Sequence, residues 1–123
     1  MEWLTRIVLI AAGVVHLLPA VGVLGARQLQ RLYGLPLSDP DLLVLMRHRA
    51  LLFGLLGAGL IVAAFQPALR TAMLIAGLVS TAGFCLLAFP APELGAALRR
   101  VAIVDVPIAA ALLVVLLLEL RAR

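Results

Sequence analysis

Residues 101–118 read VAIVDVPIAAALLVVLLL, eighteen residues with a single ionisable side chain, Asp105. A helix needs roughly 20 mostly apolar residues to cross a bilayer, and this run comes close to that length. Three further stretches of the same kind precede it: Ile7–Gly25, Leu42–Phe65 and Thr71–Phe89. None shows the alternation of polar and apolar residues that marks a barrel strand, so helices are how these segments satisfy their backbone in lipid. The sequence therefore predicts an all-α, integral membrane protein. Its form is an antiparallel four-helix bundle, one domain over residues 1–123.

Composition agrees. Of 123 residues, 65% are hydrophobic and 13% are charged, against about 45–50% and about 25% in an average soluble domain. A soluble fold of this size would leave large apolar patches bare, which excludes a soluble enzyme. The net charge is +4, and all ten basic residues are arginine. They stand singly or in pairs at segment ends, as membrane flanks do, and form no run that would hold nucleic acid. The all-arginine basic set with its alanine, leucine, valine and glycine excess looks like GC-rich bacterial coding. The expected location is a bacterial inner membrane, crossed several times. The first span is too long for the apolar region of a signal peptide, about 7–15 residues. The positive charges are nearly balanced between the two sides and do not fix orientation. The lone Cys85 excludes an internal disulfide.

The connections carry local signals. Gln66-Pro67-Ala68 reads as a tight turn, and Pro90-Ala91-Pro92-Glu93 as the stop after the third span. Residues 26–37 interleave Arg27, Gln28, Gln30 and Arg31 with Leu29, Leu32, Tyr33 and Leu35. That is a short interfacial amphipathic segment between the first two spans, with Tyr33 expected at headgroup level. In Ser38-Asp39-Pro40-Asp41, Asp39 or Ser38 would cap the next helix, with Pro40 at its first position. Gly54 and Ala58, with Gly57 and Gly59, give the second span a small-residue face for close helix contact, and Gly77 and Thr81 do so in the third.

Ionisable groups inside a span are costly and mark candidate sites. His16, Arg47, His48, Arg49 and Asp105 qualify. At 1.5 Å per residue, His16 lies about 14 Å from Gly25, His48 about 12 Å past Pro40 and Asp105 about 8 Å past Arg100. In an antiparallel bundle all three depths are measured from the same side, so these groups form one polar cluster. Arg47 and Arg49, two residues apart, point to opposite sides of a helix. One is expected to snorkel, while the other pairs with Asp105, with Asp41 and Glu93 as competing carboxylates. His16 has two readings: a core histidine bonded across helices or to a carbonyl freed by Pro19, or part of a pocket for a headgroup, a quinone or a proton. Haem ligation by His16 and His48 rests on depth alone. At most two histidines and one aspartate are available for a metal, and none is expected. No phosphate-cradling loop, nucleophile triad or zinc-protease helix motif is present.

The run Arg47-His48-Arg49-Ala50-Leu51-Leu52-Phe53-Gly54-Leu55-Leu56-Gly57, the preceding Leu32-Tyr33-Gly34 and the four-span layout resemble the DoxX-like superfamily of small bacterial membrane proteins. The resemblance covers nearly the whole chain by hydropathy, and its local motif is 47–57. It implies an accessory membrane subunit of the kind linked to quinol oxidation and redox-stress complexes. No catalytic residue carries over, and Cys85 has no resolving partner for thiol exchange. The expected function is a non-enzymatic accessory or a lipid- or quinone-binding subunit in the lipid bilayer, as a homo-oligomer or in a larger membrane complex. The alternatives are an oligomeric proton-coupled transporter of small solutes and a haem-binding redox subunit.

Overall fold

The computed structural model describes all 123 residues, and its regular elements are all helical. In chain order these are α1 (Glu2–Leu17), a 3-10 segment (Leu18–Leu24), α2 (Ala26–Tyr33), α3 (Pro40–Phe65), α4 (Pro67–Ala88) and α5 (Ala96–Arg121). Glu2–Leu24, α3, α4 and α5 are each long and apolar enough to cross a membrane. They coincide with the four expected spans but reach further, since polar residues such as Glu2, Arg6, Arg99 and Arg100 continue the helices past their apolar limits. The outward faces stay apolar. Leu87 is 79% exposed and Leu55 65%, an arrangement that lipid tolerates and water does not.

Each boundary has a local cause. Pro19 has no N–H for the carbonyl of Val15, and α1 gives way there to the tighter 3-10 winding. The Asp39 side chain accepts from the backbone N–H groups of Asp41 (2.9 Å) and Leu42 (3.4 Å), with Pro40 at the first helical position. Asp39, rather than Ser38, is thus the cap. Only Gln66 separates α3 from α4. Because Pro67 cannot donate, the last carbonyls of α3 need other partners. Arg70, one turn into α4, folds back to supply them, with Nε 3.4 Å from the Ala63 oxygen and Nη2 3.3 Å from the Ala64 oxygen. The same Nη2 lies 3.1 Å from Glu2 Oε1, which ties the start of α1 to this turn.

α2 is amphipathic as expected, with Arg27, Gln30 and Arg31 outward. Tyr33 differs from expectation. With Leu29 and Leu37 it is buried, packed against Leu43 and Met46 of α3 and Leu98 and Val101 of α5. The helix ends at Gly34, whose positive φ of 67° lets its N–H reach the Gln30 oxygen at 2.7 Å.

α1 packs against α3 and α5, and α4 packs against the same two helices. The α1–α3 crossing is close because both helices present glycine there. A Cβ at Gly57 would stand 2.7 Å from the Gly13 carbonyl oxygen. The apolar core draws Leu9 and Ala12 from α1, Leu60, Ala63 and Ala64 from α3, Leu74 from α4, and Leu112, Val115 and Leu116 from α5. These are the first half of the first span, the second half of α3, the first half of α4 and the second half of α5. The complementary halves hold His16 and Thr81 among the buried polar side chains, while Thr5 and Arg70 lie in the same halves as the core.

Candidate functional site

In those complementary halves a cavity of about 210 Å³ opens between the end of the first span, α2 and the neighbouring parts of α3, α4 and α5. Its polar lining is His16, Tyr33, Arg49, Arg100 and Asp105, and the rest is apolar or aromatic, including Phe53 and Phe84. Of the five expected cluster residues, three meet here: His16, Arg49 and Asp105.

His16 is 3% exposed and uses both ring nitrogens. Nδ1 lies 2.7 Å from the Ala12 carbonyl oxygen and Nε2 3.1 Å from Ser80 Oγ on α4. A carbonyl only accepts, so Nδ1 carries a proton. The neutral ring fits this geometry, with Nε2 accepting from the serine hydroxyl. The carbonyl used is the one a turn back in α1, not the Val15 carbonyl freed by Pro19. The His16 ring also stands 5.7 Å from that of Phe53.

Arg49 takes its place from the α3 register. Phe53 is one turn on, at i+4, on the same face. The guanidinium carbon lies 4.5 Å from the Phe53 ring centre, 5.3 Å from that of Tyr33 and 5.7 Å from that of Phe84. Aromatic faces attract a cation through their quadrupole. Nη1 donates to the Tyr33 hydroxyl at 2.7 Å, the guanidinium's one side-chain or backbone acceptor in the protein. Arg49 and Phe53 also wall a second hollow of about 180 Å³ with Leu52, Leu56 and Ser80, so the arginine stands between two spaces.

The expected Arg–Asp ion pair is not formed. Asp105 and Arg49 line the same cavity, yet the ion pairs of the structure are Arg6–Glu2 and Arg70–Glu2. Tyr33, turned inward by α2, takes the arginine instead. Asp41 and Glu93 hold no arginine either. Arg47 and His48 lie outside the cluster. Arg47 is exposed, and its Nε donates to the Val23 carbonyl oxygen at 2.8 Å. His48, the next residue along the helix, is exposed on the outer surface of α3. His16 and His48 therefore share a depth but not a cavity, and paired ligation of a haem by the two has no geometric basis.

Tyr33, Phe53, Phe84, Arg100 and Ser80 complete the site beyond the expected residues. The i, i+4 spacing of Arg49 and Phe53 was the one signal in the sequence that pointed to any of them. Cys85 lies nearby, half-buried, its thiol 3.4 Å from the Ala102 carbonyl oxygen. No family model, curated protein or solved structure matches the chain.

Proposed function

We propose that the chain is a small multi-pass protein of a bacterial inner membrane, an antiparallel four-helix bundle that binds the polar end of an amphipathic small molecule, a lipid or a quinone, without transforming it. The observation that carries this reading is the cavity. Residues carrying guanidinium, imidazole, phenol and carboxyl groups line one space whose other walls are apolar or aromatic, Phe53, Phe84 and Val104 among them. Few, placed polar groups in an apolar cleft are the usual make-up of a small-molecule site. The bundle arrangement is supported by the way both core and cavity draw on alternate halves of successive spans.

The resemblance to DoxX-like proteins adds an accessory role, as a homo-oligomer or within a larger membrane complex. Proton-coupled transport has less support, because His16 is held at both ring nitrogens by α1 and α4. A haem-binding role lacks a second histidine at the cavity.

The test is extraction of the full chain from membranes in a mild detergent, followed by mass spectrometry of retained small molecules. One amphiphile is expected near one per chain. Val104→Trp, which fills the cavity from its 45% exposed rim, is expected to abolish retention. Equal retention by the wild type and this variant, or none by either, overturns the proposal.

A further inference from the structure

We infer that the cavity selects an amphiphile with an anionic phosphate headgroup, an inference that rests on the binding role proposed above and narrows its ligand. The starting point is a guanidinium with no carboxylate in contact with it. Arg49 sits nine residues past Pro40, about 14 Å into α3, where an unneutralised cation is costly. Three aromatic rings and one phenol hydroxyl surround it. They ease its burial, but they leave four of its five N–H donors without a protein acceptor. No carboxylate lies within 4.0 Å of it.

The rest of the cavity supplies less negative charge than its cations need. Arg100 brings a second guanidinium from α5, exposed and likewise without a carboxylate partner. Asp105 brings the single carboxylate. Two guanidinium groups against one carboxylate leave a positive excess, whatever the protonation of His16. A quinone would accept hydrogen bonds but would not neutralise that excess. A zwitterionic headgroup has no net charge and would not neutralise it either. A phosphodiester brings one negative charge, and its oxygens suit the guanidinium fork.

Size points the same way. About 210 Å³ is less than the roughly 300–1,000 Å³ of pockets that enclose a drug-sized ligand. A headgroup fits and acyl chains do not. The chains have a way out past Leu18 and Val104, apolar residues at the cavity rim that are 62% and 45% exposed.

The experiment titrates the full chain, in a neutral maltoside detergent, with dioleoylphosphatidylglycerol, dioleoylphosphatidylcholine, decylubiquinone and inorganic phosphate, read by native mass spectrometry and by ligand-induced shifts in melting. Phosphatidylglycerol is expected to bind one per chain, at least about tenfold tighter than phosphatidylcholine, the scale of one charged hydrogen bond. Arg100→Gln, a change at an exposed side chain, is expected to weaken phosphatidylglycerol binding about tenfold on the same scale. Asp105→Asn is expected to tighten it, because the competing carboxylate is gone.

Binding of decylubiquinone with no preference for phosphatidylglycerol over phosphatidylcholine overturns this inference and leaves the binding role standing. Inorganic phosphate binding as tightly as phosphatidylglycerol makes the cavity a free-anion site and also overturns it. Binding of none of the four probes defeats both readings.

Discussion

The Tyr33 hydroxyl accepts from Arg49 Nη1 at 2.7 Å, across the junction of α2 and α3. A short helix outside the main apolar spans thereby holds the cation of the cavity. The bond makes α2 part of the site, because Tyr33 is buried only while α2 stays docked on α3 and α5. Tyr33→Phe keeps the ring and removes the acceptor. It is expected to lower stability by about 1.5–3 kcal/mol, the range for hydrogen bonds to charged groups. In a double-mutant cycle with Arg49→Gln the losses should be non-additive. Additive losses in detergent melts would show that the two side chains do not act on one another.

Asp105 gives the opposite expectation to the one its sequence position invites. Were it the partner of a buried arginine, its removal would cost about 3–5 kcal/mol. The structure leaves it without a cationic partner within 4.0 Å. A half-buried carboxyl group with no such partner is a burden on the fold. Asp105→Asn is therefore expected to melt no lower than the wild type. A clear drop in melting temperature would restore the ion pair.

His16 and Ser80 join α1 to α4, helices that otherwise pack mainly through α3 and α5 between them. Ser80→Ala removes the hydroxyl and leaves a buried ring nitrogen without its partner. The expected cost is about 1–3 kcal/mol, the usual penalty for an orphaned buried group. Ser80→Thr keeps a hydroxyl and should recover most of it. If Ser80→Ala melts like the wild type, the imidazole is not held from α4.

Much of this was readable from sequence. The four spans follow from hydropathy, which needs no tertiary information. Asp39 and Pro40 mark the start of α3 because capping is local chemistry. His16, Arg49 and Asp105 stand out as ionisable groups inside spans, and depth puts His16 and Asp105 on one side, since rise per residue is fixed along a helix. Partner choice was not readable. Depth does not say which way a side chain faces, so depth alone groups the exposed His48 with a polar cluster it does not join. Tyr33 reads as a headgroup-level residue because α2 looks interfacial alone, and its docking against Leu43, Met46, Leu98 and Val101 is a tertiary fact. Arg70 read as a flanking charge. Its role follows from a missing N–H three residues earlier, at Pro67.

Arg70 is 5% exposed, and its guanidinium serves the Ala63 and Ala64 carbonyls as well as Glu2. Arg70→Ala is expected to cost roughly 1.5–3 kcal/mol through the carbonyls it strands. Arg70→Lys should recover little, because an ammonium lacks the fork that spans three oxygens. Glu2→Gln should have a much smaller effect, since the Glu2 side chain is 61% exposed and water replaces what it gives. Equal losses from Glu2→Gln and Arg70→Ala would mean that the ion pair, and not the helix end, is what Arg70 secures.

Two glycines separate close packing from helix propensity. A Cβ at Gly57 would meet the Gly13 carbonyl oxygen at 2.7 Å and Leu17 Cγ at 2.9 Å, and the backbone oxygen cannot step aside without moving α1. At Gly83 an added Cβ meets nothing within 4 Å. Gly57→Ala is expected to destabilise by about 1–3 kcal/mol, as overpacking does. Gly83→Ala should be neutral or stabilising by up to about 1 kcal/mol, through the better helix propensity of alanine. Unfolding in graded mixtures of mild and denaturing detergent measures both. Because the clash also reaches Leu17, beside His16, Gly57→Ala should weaken ligand retention in the cavity while Gly83→Ala leaves it intact. Equal behaviour of the two variants would place the α1–α3 crossing elsewhere.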